Sequence, residues 1–240
     1  MKEIKRIQLW SGPRNVSTAL MYSFAQRADT KVFDEPLYGY YLANSPAKDY
    51  HPGAQEVLDT MELDGDKVVE MMMSDHEKEV LFFKQMTHHL LDLDRSFMKD
   101  CQNLVLTRDP AEMLPSYAKE IESPTMKDVG YADHLDLIKY FKKEQIPFAV
   151  LDSRRILENP KEVLVKTCEF IDIPFDEQML SWEAGARPED GCWAKYWYAN
   201  VHKSTGFQPY KPKNETMPEH LEELYLDCLP IYEELVGMAL

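Results

Sequence analysis

The 240-residue sequence lacks several features that would each assign it to a familiar class of protein. It has no apolar run of membrane-spanning length, and its first residues carry no long apolar core with a cleavage site, so we expect a soluble, cytoplasmic protein. Its four cysteines include no CxxC pair, which argues against a zinc site or a disulfide framework and favours reduced thiols. Positive charge is scarce: 27 Lys and Arg face 42 Asp and Glu, a net charge of −15. That balance argues against nucleic acids and anionic membranes as partners.

Short apolar segments alternate with amphipathic ones along the chain, without an internal repeat or a low-complexity linker. The segments predicted to be strands are IKRIQLW, KVFDE, EVLFFKQM, QNLVLTR and IPFAVLDS. This alternation predicts one three-layer α/β domain over residues 1–240, with a mostly parallel central sheet and helices on both faces, as in phosphate-loop nucleotide-binding folds. Ligands of such sheets bind beyond the carboxyl ends of the strands. Arg14, Glu35, Lys84 and Arg108 lie at or just after predicted strand ends, so we expect them to share one site.

The segment SGPRNVST (Ser11–Thr18) joins the first predicted strand to the first helix. Backbone amides around Asn15, Val16, Ser17 and Thr18 can point at an anion where the helix begins, and Arg14 and the two hydroxyl groups supply further donors. The loop lacks the Gly-Lys-Ser/Thr of nucleoside triphosphatases, and we find no carboxylate paired with it as a metal ligand. The alternative is an ordinary Gly-Pro turn with a serine or threonine as helix cap.

A second element, LVLTRDPAEMLPSY, places Arg108 at a strand end and Ser116 eight residues later. Alone, this arginine could form an ion pair before a helix. Together with the first loop, the segment resembles the sulfotransferase family, which uses 3′-phosphoadenosine 5′-phosphosulfate (PAPS). The stretch from Phe148 to Asp176, with its helix beginning at Asn-Pro and its Pro-Phe turn, resembles the same family, and the likeness covers most of residues 4–180.

The resemblance implies that PAPS is the cofactor and that the first loop, residues 14–18, holds its 5′-phosphosulfate. It assigns the 3′-phosphate to Arg108 and Ser116, and it implies sulfonate transfer to a hydroxyl group of a small-molecule acceptor. Two departures stand out. Val16 occupies a position where many members have glycine, and the family's late Arg-Lys-Gly loop is absent in that form. HKSTGF, with Lys203 and the amides of Ser204–Gly206, is a candidate replacement.

Two candidates compete for the base that deprotonates the acceptor. Glu35 resembles the glutamate of the Glu-Pro pair in carbohydrate-type sulfotransferases, with Asp34 as a neighbouring rival. His88 lies near the position of the Lys-x-His motif in arylsulfotransferases, displaced by two residues. We favour Glu35, because it ends a predicted strand. Lys84 closes a buried apolar run, which is costly unless the lysine meets an anion. The same resemblance to arylsulfotransferases implies that Lys84 assists the departing sulfonate.

Two other functions remain open on the sequence: an ATP- and magnesium-dependent small-molecule kinase of similar fold, and a non-catalytic nucleotide-binding protein. The aromatic residues Trp193, Tyr196 and Trp197 could pack in the core, wall an acceptor pocket or stack on adenine. The sequence fixes neither the acceptor nor the oligomeric state, for which a homodimer is one candidate.

Overall fold

The computed structural model describes residues 4–212 and 216–240. Its centre is a five-stranded, all-parallel sheet in the order β2-β3-β1-β4-β5. The strands are β1 (Lys5–Ser11), β2 (Thr30–Asp34), β3 (Val80–Met86), β4 (Gln102–Thr107) and β5 (Phe148–Asp152). This sheet, with the helices that cover it, confirms the predicted α/β fold. The single-domain organisation stays a prediction.

Helices connect the strands and cover the sheet. The α-helices are α1 (Ser17–Phe24), α2 (Tyr38–Ala43), α3 (Ala54–Thr60), α4 (Gly65–Met73), α5 (Pro110–Tyr117), α6 (Met126–Val129), α7 (Tyr131–Glu144), α8 (Ser153–Glu158), α9 (Pro160–Phe170), α10 (Ala194–Trp197) and α11 (Glu222–Gly237). Short 3-10 helices lie at Pro46–Asp49, Thr87–Leu90, Ser96–Asp100, Glu177–Leu180, Val201–Lys203 and Glu219–Leu221. None of the described helices is long and apolar enough to cross a membrane.

The two faces of the sheet bury separate apolar cores. Side chains alternate along each strand, so neighbouring residues such as Leu81 and Phe82 enter different cores. Helices α4, α5, α7 and α11 pack on one face, and α1, α8 and α9 on the other. A third apolar cluster, formed by α2, α3, α10 and their flanking loops, lies beside the sheet. Strands buried on both faces explain the near-continuous apolar runs of the sequence.

The strand order places a crevice at the carboxyl edge of the sheet. β1 lies between β3 and β4, and the chain leaves β1 toward β2 but leaves β4 in the opposite direction toward β5. Adjacent strands whose connections diverge in this way leave a gap between their carboxyl ends, where ligands of open α/β sheets bind. The loop after β1 carries Arg14 and the loop after β4 carries Arg108, so both arginines flank this gap.

Candidate active site

A cavity of about 380 Å³ opens at the carboxyl edge of the sheet. Its walls include the loop of residues 12–18, the ends of β2, β3 and β4, and the segment from Trp193 to Gln208. All the site residues predicted from the sequence line it except Lys203: these are Arg14, Asn15, Val16, Ser17, Thr18, Glu35, Lys84, His88, Arg108 and Ser116. Lys203 is exposed to solvent and is not part of the wall, although its neighbours Ser204 and Gly206 are.

The loop after β1 leaves a row of backbone amides without acceptors. Asn15 shapes it: its Nδ2 donates to the Gly12 carbonyl at 2.8 Å, and its Oδ1 accepts from the Ser17 amide at 2.9 Å. Val16, the N-cap of α1, gives no side-chain cap. Within residues 4–212 and 216–240, no acceptor bonds to the N–H groups of residues 14, 15, 16, 18 and 19. Unpaired amides at a helix N-terminus form a site for an anion.

Val16 does not need the backbone conformation that glycine would permit. It has φ −92°, whereas the left-handed conformation falls on Arg14, with φ 53°. A β-branched residue would resist that conformation, but an unbranched arginine adopts it at smaller cost. Gly12, in contrast, is required by space, because an added Cβ would lie 2.9 Å from the Val129 carbonyl oxygen.

Two strand ends meet through a pair of arginines. Arg14 Nε donates to Ser116 Oγ at 3.2 Å, and Arg108 Nη1 donates to the Arg14 carbonyl oxygen at 2.5 Å. Arg108 Nη2 also donates to Glu112 Oε2 at 3.0 Å, one helical turn along α5. Burial, and to a lesser degree the positive charge of Arg108, lowers the pKa of Arg14. An anion bound between these guanidinium groups would relieve their mutual repulsion.

On the other side of the cavity, Lys84 forms a buried cluster of charges. The side chain is 2% exposed, and Nζ donates to Asp34 Oδ1 at 2.8 Å, to Tyr198 Oη at 2.8 Å and to Glu35 Oε1. The pairing follows from register, since Asp34 lies opposite Lys84 in the sheet. Burial acts against the charge of Lys84, but attraction to Asp34 and Glu35 outweighs it and raises the pKa well above its ordinary value. Lys84 is therefore an ammonium ion held by two carboxylates.

The structure separates the rival carboxylates by their surroundings. Asp34 is held on both oxygens: Tyr198 Oη lies 2.8 Å from each of them, and the Gly191 amide donates to Oδ2 at 3.0 Å. Glu35 lines the cavity, and Lys84 is its only side-chain partner among the described residues. Its backbone is left-handed, with φ 45°, which turns the chain out of β2 before Pro36. Burial raises the pKa of Glu35; Lys84 opposes the rise and Asp34 adds to it.

Histidines form the wall beyond Lys84. His88 and His89 follow β3 and line the cavity together with His51. Burial is the main cause that lowers the pKa of His88 to about 3 and that of His51 to about 4, so these imidazoles are neutral near pH 7. Nδ1 of His88 has no partner among the described residues. A neutral imidazole with so low a pKa is a weak base, which favours Glu35 over His88 as proton acceptor.

The sequence prediction chose different aromatic residues from those that the structure brings to the charges. Trp193 and Trp197 line the cavity, but Tyr196 is 39% exposed and packs beside Gly53. Tyr198, which was not predicted, contacts Lys84 and Asp34 and accepts from Trp193 Nε1 at 3.2 Å. The aromatic run WAKYWYANVH indicated that this segment could line the pocket, but the sequence does not show which of its rings points into the cavity.

A model of the family described as "Sulfotransferase domain" matches residues 5–239. The chain belongs to this sulfotransferase family. The resemblance drawn from the two arginine loops is thereby confirmed at the level of the family. The described residues contain no cluster of three or more His, Cys, Asp or Glu side chains that could hold a metal ion.

Two curated proteins of Arabidopsis thaliana match nearly the whole sulfotransferase-family chain. They are Branched-chain-amino-acid aminotransferase-like protein 2, 37% identical over 231 residues, and protein 1, 37% identical over 237 residues. The matches cover 95% and 98% of this chain but only 41% and 42% of the Arabidopsis proteins. The chain therefore spans about two fifths of the length of these relatives.

Solved structures share the fold. The sulfotransferase domain of the Synechococcus PCC 7002 olefin synthase superposes with a TM-score of 0.65 at 16% identity, covering 98% of this chain and 96% of that one. The sulfotransferase domain from the curacin biosynthetic pathway gives a TM-score of 0.53 at 16% identity, covering 100% and 93%. At such identities the likeness speaks for the fold alone.

Proposed function

We propose that this protein transfers a sulfonate group from PAPS to a hydroxyl group of a small-molecule acceptor. One observation carries the proposal: arginines from two separate strand ends converge on one cavity, whose opposite wall holds a lysine and a carboxylate. A bisphosphorylated nucleotide with a sulfonate at one end needs anion sites at both phosphates and a cation near the reacting group. The family of the chain supports sulfonate transfer in general.

The donors present fit a PAPS molecule. The unpaired amides of residues 14–16, 18 and 19 and the Arg14 side chain suit the 5′-phosphosulfate. Arg108, and Ser116 through its hydroxyl group, suit the 3′-phosphate. Trp193 and Trp197 offer apolar surface in the same cavity. When bound, PAPS would supply an activated sulfonate whose bridging bond to the phosphate is ready to break.

Lys84 and Glu35 would then have different roles in the transfer. Sulfonate transfer resembles loose, in-line phosphoryl transfer, for which positioning and charge stabilisation dominate. Lys84, kept protonated by its carboxylate partners, supplies fixed positive charge beside the reacting group. Glu35 accepts the proton of the acceptor hydroxyl, since its pKa is raised by burial and its carboxylate faces the cavity. The electron pair of the broken bond would stay on the 5′-phosphate of 3′,5′-ADP, the product nucleotide.

The names of the Arabidopsis relatives raise aminotransferase chemistry as an alternative. Such chemistry needs a lysine whose neutral amine can form a Schiff base. Lys84 is the lysine that lines the cavity within the described parts of the chain, and its neighbouring carboxylates keep it protonated. The site therefore favours a lysine that acts as a charge over a lysine that acts as a nucleophile.

The decisive experiment has two stages. Thermal unfolding is followed with 3′,5′-ADP, ATP, and ATP with magnesium; we expect stabilisation by 3′,5′-ADP, and stabilisation by ATP with magnesium alone would favour a kinase instead. Transfer of labelled sulfur from PAPS is then measured over a panel of hydroxylated acceptors. Nucleotide binding without transfer to any acceptor would favour a non-catalytic binding protein.

A further inference from the structure

Every N–H donor of the Lys84 ammonium group already has an acceptor within the protein. An ammonium group has three N–H donors, and Asp34, Glu35 and Tyr198 accept one each. An anion that enters the cavity can contact Lys84 only if it replaces one of these three partners. The order in which the partners can leave therefore decides how the site responds to its donor substrate.

Asp34 and Tyr198 are fixed by further bonds. Asp34, whose side chain is 1% exposed, also accepts from the Gly191 amide at 3.0 Å. Tyr198 donates its hydroxyl proton to Asp34 at 2.8 Å and accepts from Trp193 Nε1 at 3.2 Å. Removing either residue from Lys84 would break several buried hydrogen bonds at once, each costly to leave unmade.

Glu35 is the partner that can leave. Its carboxylate has no second partner among the described residues, and it already borders the cavity. Turning away from Lys84 would expose it to the space where an acceptor hydroxyl must lie. The same movement would free a place on Lys84 for one anionic oxygen.

Resting on the proposed function, we propose that Asp34 and Tyr198 are positioning residues that anchor Lys84, while Glu35 yields its place on Lys84 to the donor's sulfonate and so becomes available to the acceptor. In the absence of the donor, the two reactive groups neutralise each other. Contact with the sulfonate separates them, so the base is released only when a transferable group is present.

This exchange changes the proton affinity of Glu35. A carboxylate that loses a cation within about 4–6 Å has its pKa raised by about 1–3 units. The titratable groups that face the Lys84–Glu35 pair are Asp34 on β2, Tyr38 on α2, His89 after β3 and Tyr198 after α10. Tyr38, Tyr198 and His89 are uncharged near pH 7, because burial raises the pKa of both tyrosines and lowers that of His89.

The test follows the Glu35 carboxyl carbon by NMR in protein labelled at glutamate, with Glu35→Gln to assign the signal. The pKa of Glu35 is measured in the free protein, with 3′,5′-ADP and with PAPS, without acceptor. We expect a value about 1–3 units higher with PAPS than with 3′,5′-ADP, which lacks the sulfonate. Equal values in the two complexes, with both ligands bound, would overturn this inference and leave the proposed function standing. Failure of both ligands to raise the thermal midpoint would overturn the two together.

Tyr198→Phe tests the anchor by the same measurement. Without the hydroxyl group Lys84 depends more on Glu35, so we expect a lower Glu35 pKa in the free protein and a smaller rise with PAPS. Tyr196→Phe is the matched control, since that ring is exposed and lies outside the cavity wall. A rise in Tyr198→Phe equal to that of the unaltered protein would contradict the anchoring role.

Discussion

The two ends of the cavity treat their polar groups in opposite ways. At the phosphate-loop end, several amides between Arg14 and Ala19 have no acceptor among the described residues. At the Lys84 end, every N–H donor of the ammonium group has a partner within the protein. The unpaired amides can bind a ligand without first breaking a hydrogen bond. The Lys84 ammonium group must give up one of its protein partners before it can bind one.

Because of this difference, we expect the Lys84 end to contribute mainly to folding stability and the phosphate-loop end mainly to ligand binding. A buried ion pair broken on one side leaves an uncompensated charge in a region of low dielectric. Removing one unpaired donor from the phosphate loop should change the free energy of unfolding little, because that donor has no partner in the free protein. Variants at the Lys84 end should therefore lose stability, whereas variants at the phosphate-loop end should lose nucleotide affinity.

Lys84→Met should destabilise the protein by about 3–5 kcal/mol, because Asp34 and Glu35 would remain buried without their cation. Urea unfolding near pH 7 measures the change. Lys67→Met, at a lysine that is 64% exposed and 3.9 Å from its partner Glu62, should alter the free energy of unfolding by no more than about 0.5 kcal/mol. Equal stability of the two variants would mean that the cluster does not depend on its lysine.

Glu35→Gln should lower the turnover rate by about 10²–10⁴-fold, since it removes the general base. Binding of 3′,5′-ADP, measured by calorimetry, should persist, because the nucleotide donors lie at the other end. Glu70→Gln, an exposed carboxylate on α4, serves as control. Full turnover by Glu35→Gln would refute the base assignment, while membership of the sulfotransferase family would stand.

Arg108→Gln should lower the affinity for 3′,5′-ADP by about 10–100-fold. A hydrogen bond to a charged group contributes about 1.5–3 kcal/mol, which corresponds to that loss. Affinity for 5′-AMP should change much less, because that nucleotide lacks the 3′-phosphate. Calorimetric titration of both nucleotides gives the ratio, with Arg154→Gln, 59% exposed, as control. An unchanged ratio would remove Arg108 from the 3′-phosphate site.

His88→Gln should reduce the sensitivity of the fold to acid. Folded His88 has a pKa of about 3, whereas an unfolded histidine binds a proton below about pH 6.5. The unfolded state thus binds more protons in that window, and the free energy of unfolding falls as the pH drops from 6.5 toward 3. Between pH 7 and 5 the variant should lose about 2 kcal/mol less than the unaltered protein, as measured by urea unfolding. His220→Gln, at an exposed site, is the matched control for the same measurement.

Lys203→Ala should change the affinity for 3′,5′-ADP by less than about two-fold, the effect typical of an exposed surface position. The side chain lies outside the cavity wall, although the neighbouring Ser204 and Gly206 belong to it. Calorimetry decides the question directly. A loss comparable to that of Arg108→Gln would show that this loop closes on the nucleotide.

The sequence was sufficient for the parts of the site that depend on order along the chain. Arg14 and Arg108 follow strands β1 and β4, and parallel strands bring such ends to a common edge. Lys84 was also predicted at a strand end, but it lies inside β3, which continues to Met86. The sequence was not sufficient for Tyr198, which reaches Lys84 from 114 residues further along the chain, in a segment without strand or helix periodicity to orient it.

The sequence by itself determined the alternation of strands and helices, the family, and the edge of the sheet at which the ligand groups gather, because periodicity and strand ends are local properties. Only the tertiary structure decided which carboxylate faces the cavity. Asp34 and Glu35 are neighbours with equal charge, and the Glu-Pro resemblance that favoured Glu35 does not show which carboxylate faces the cavity. Register against β3 and the left-handed turn before Pro36 place Asp34 inside a hydrogen-bonded anchor and Glu35 at the wall.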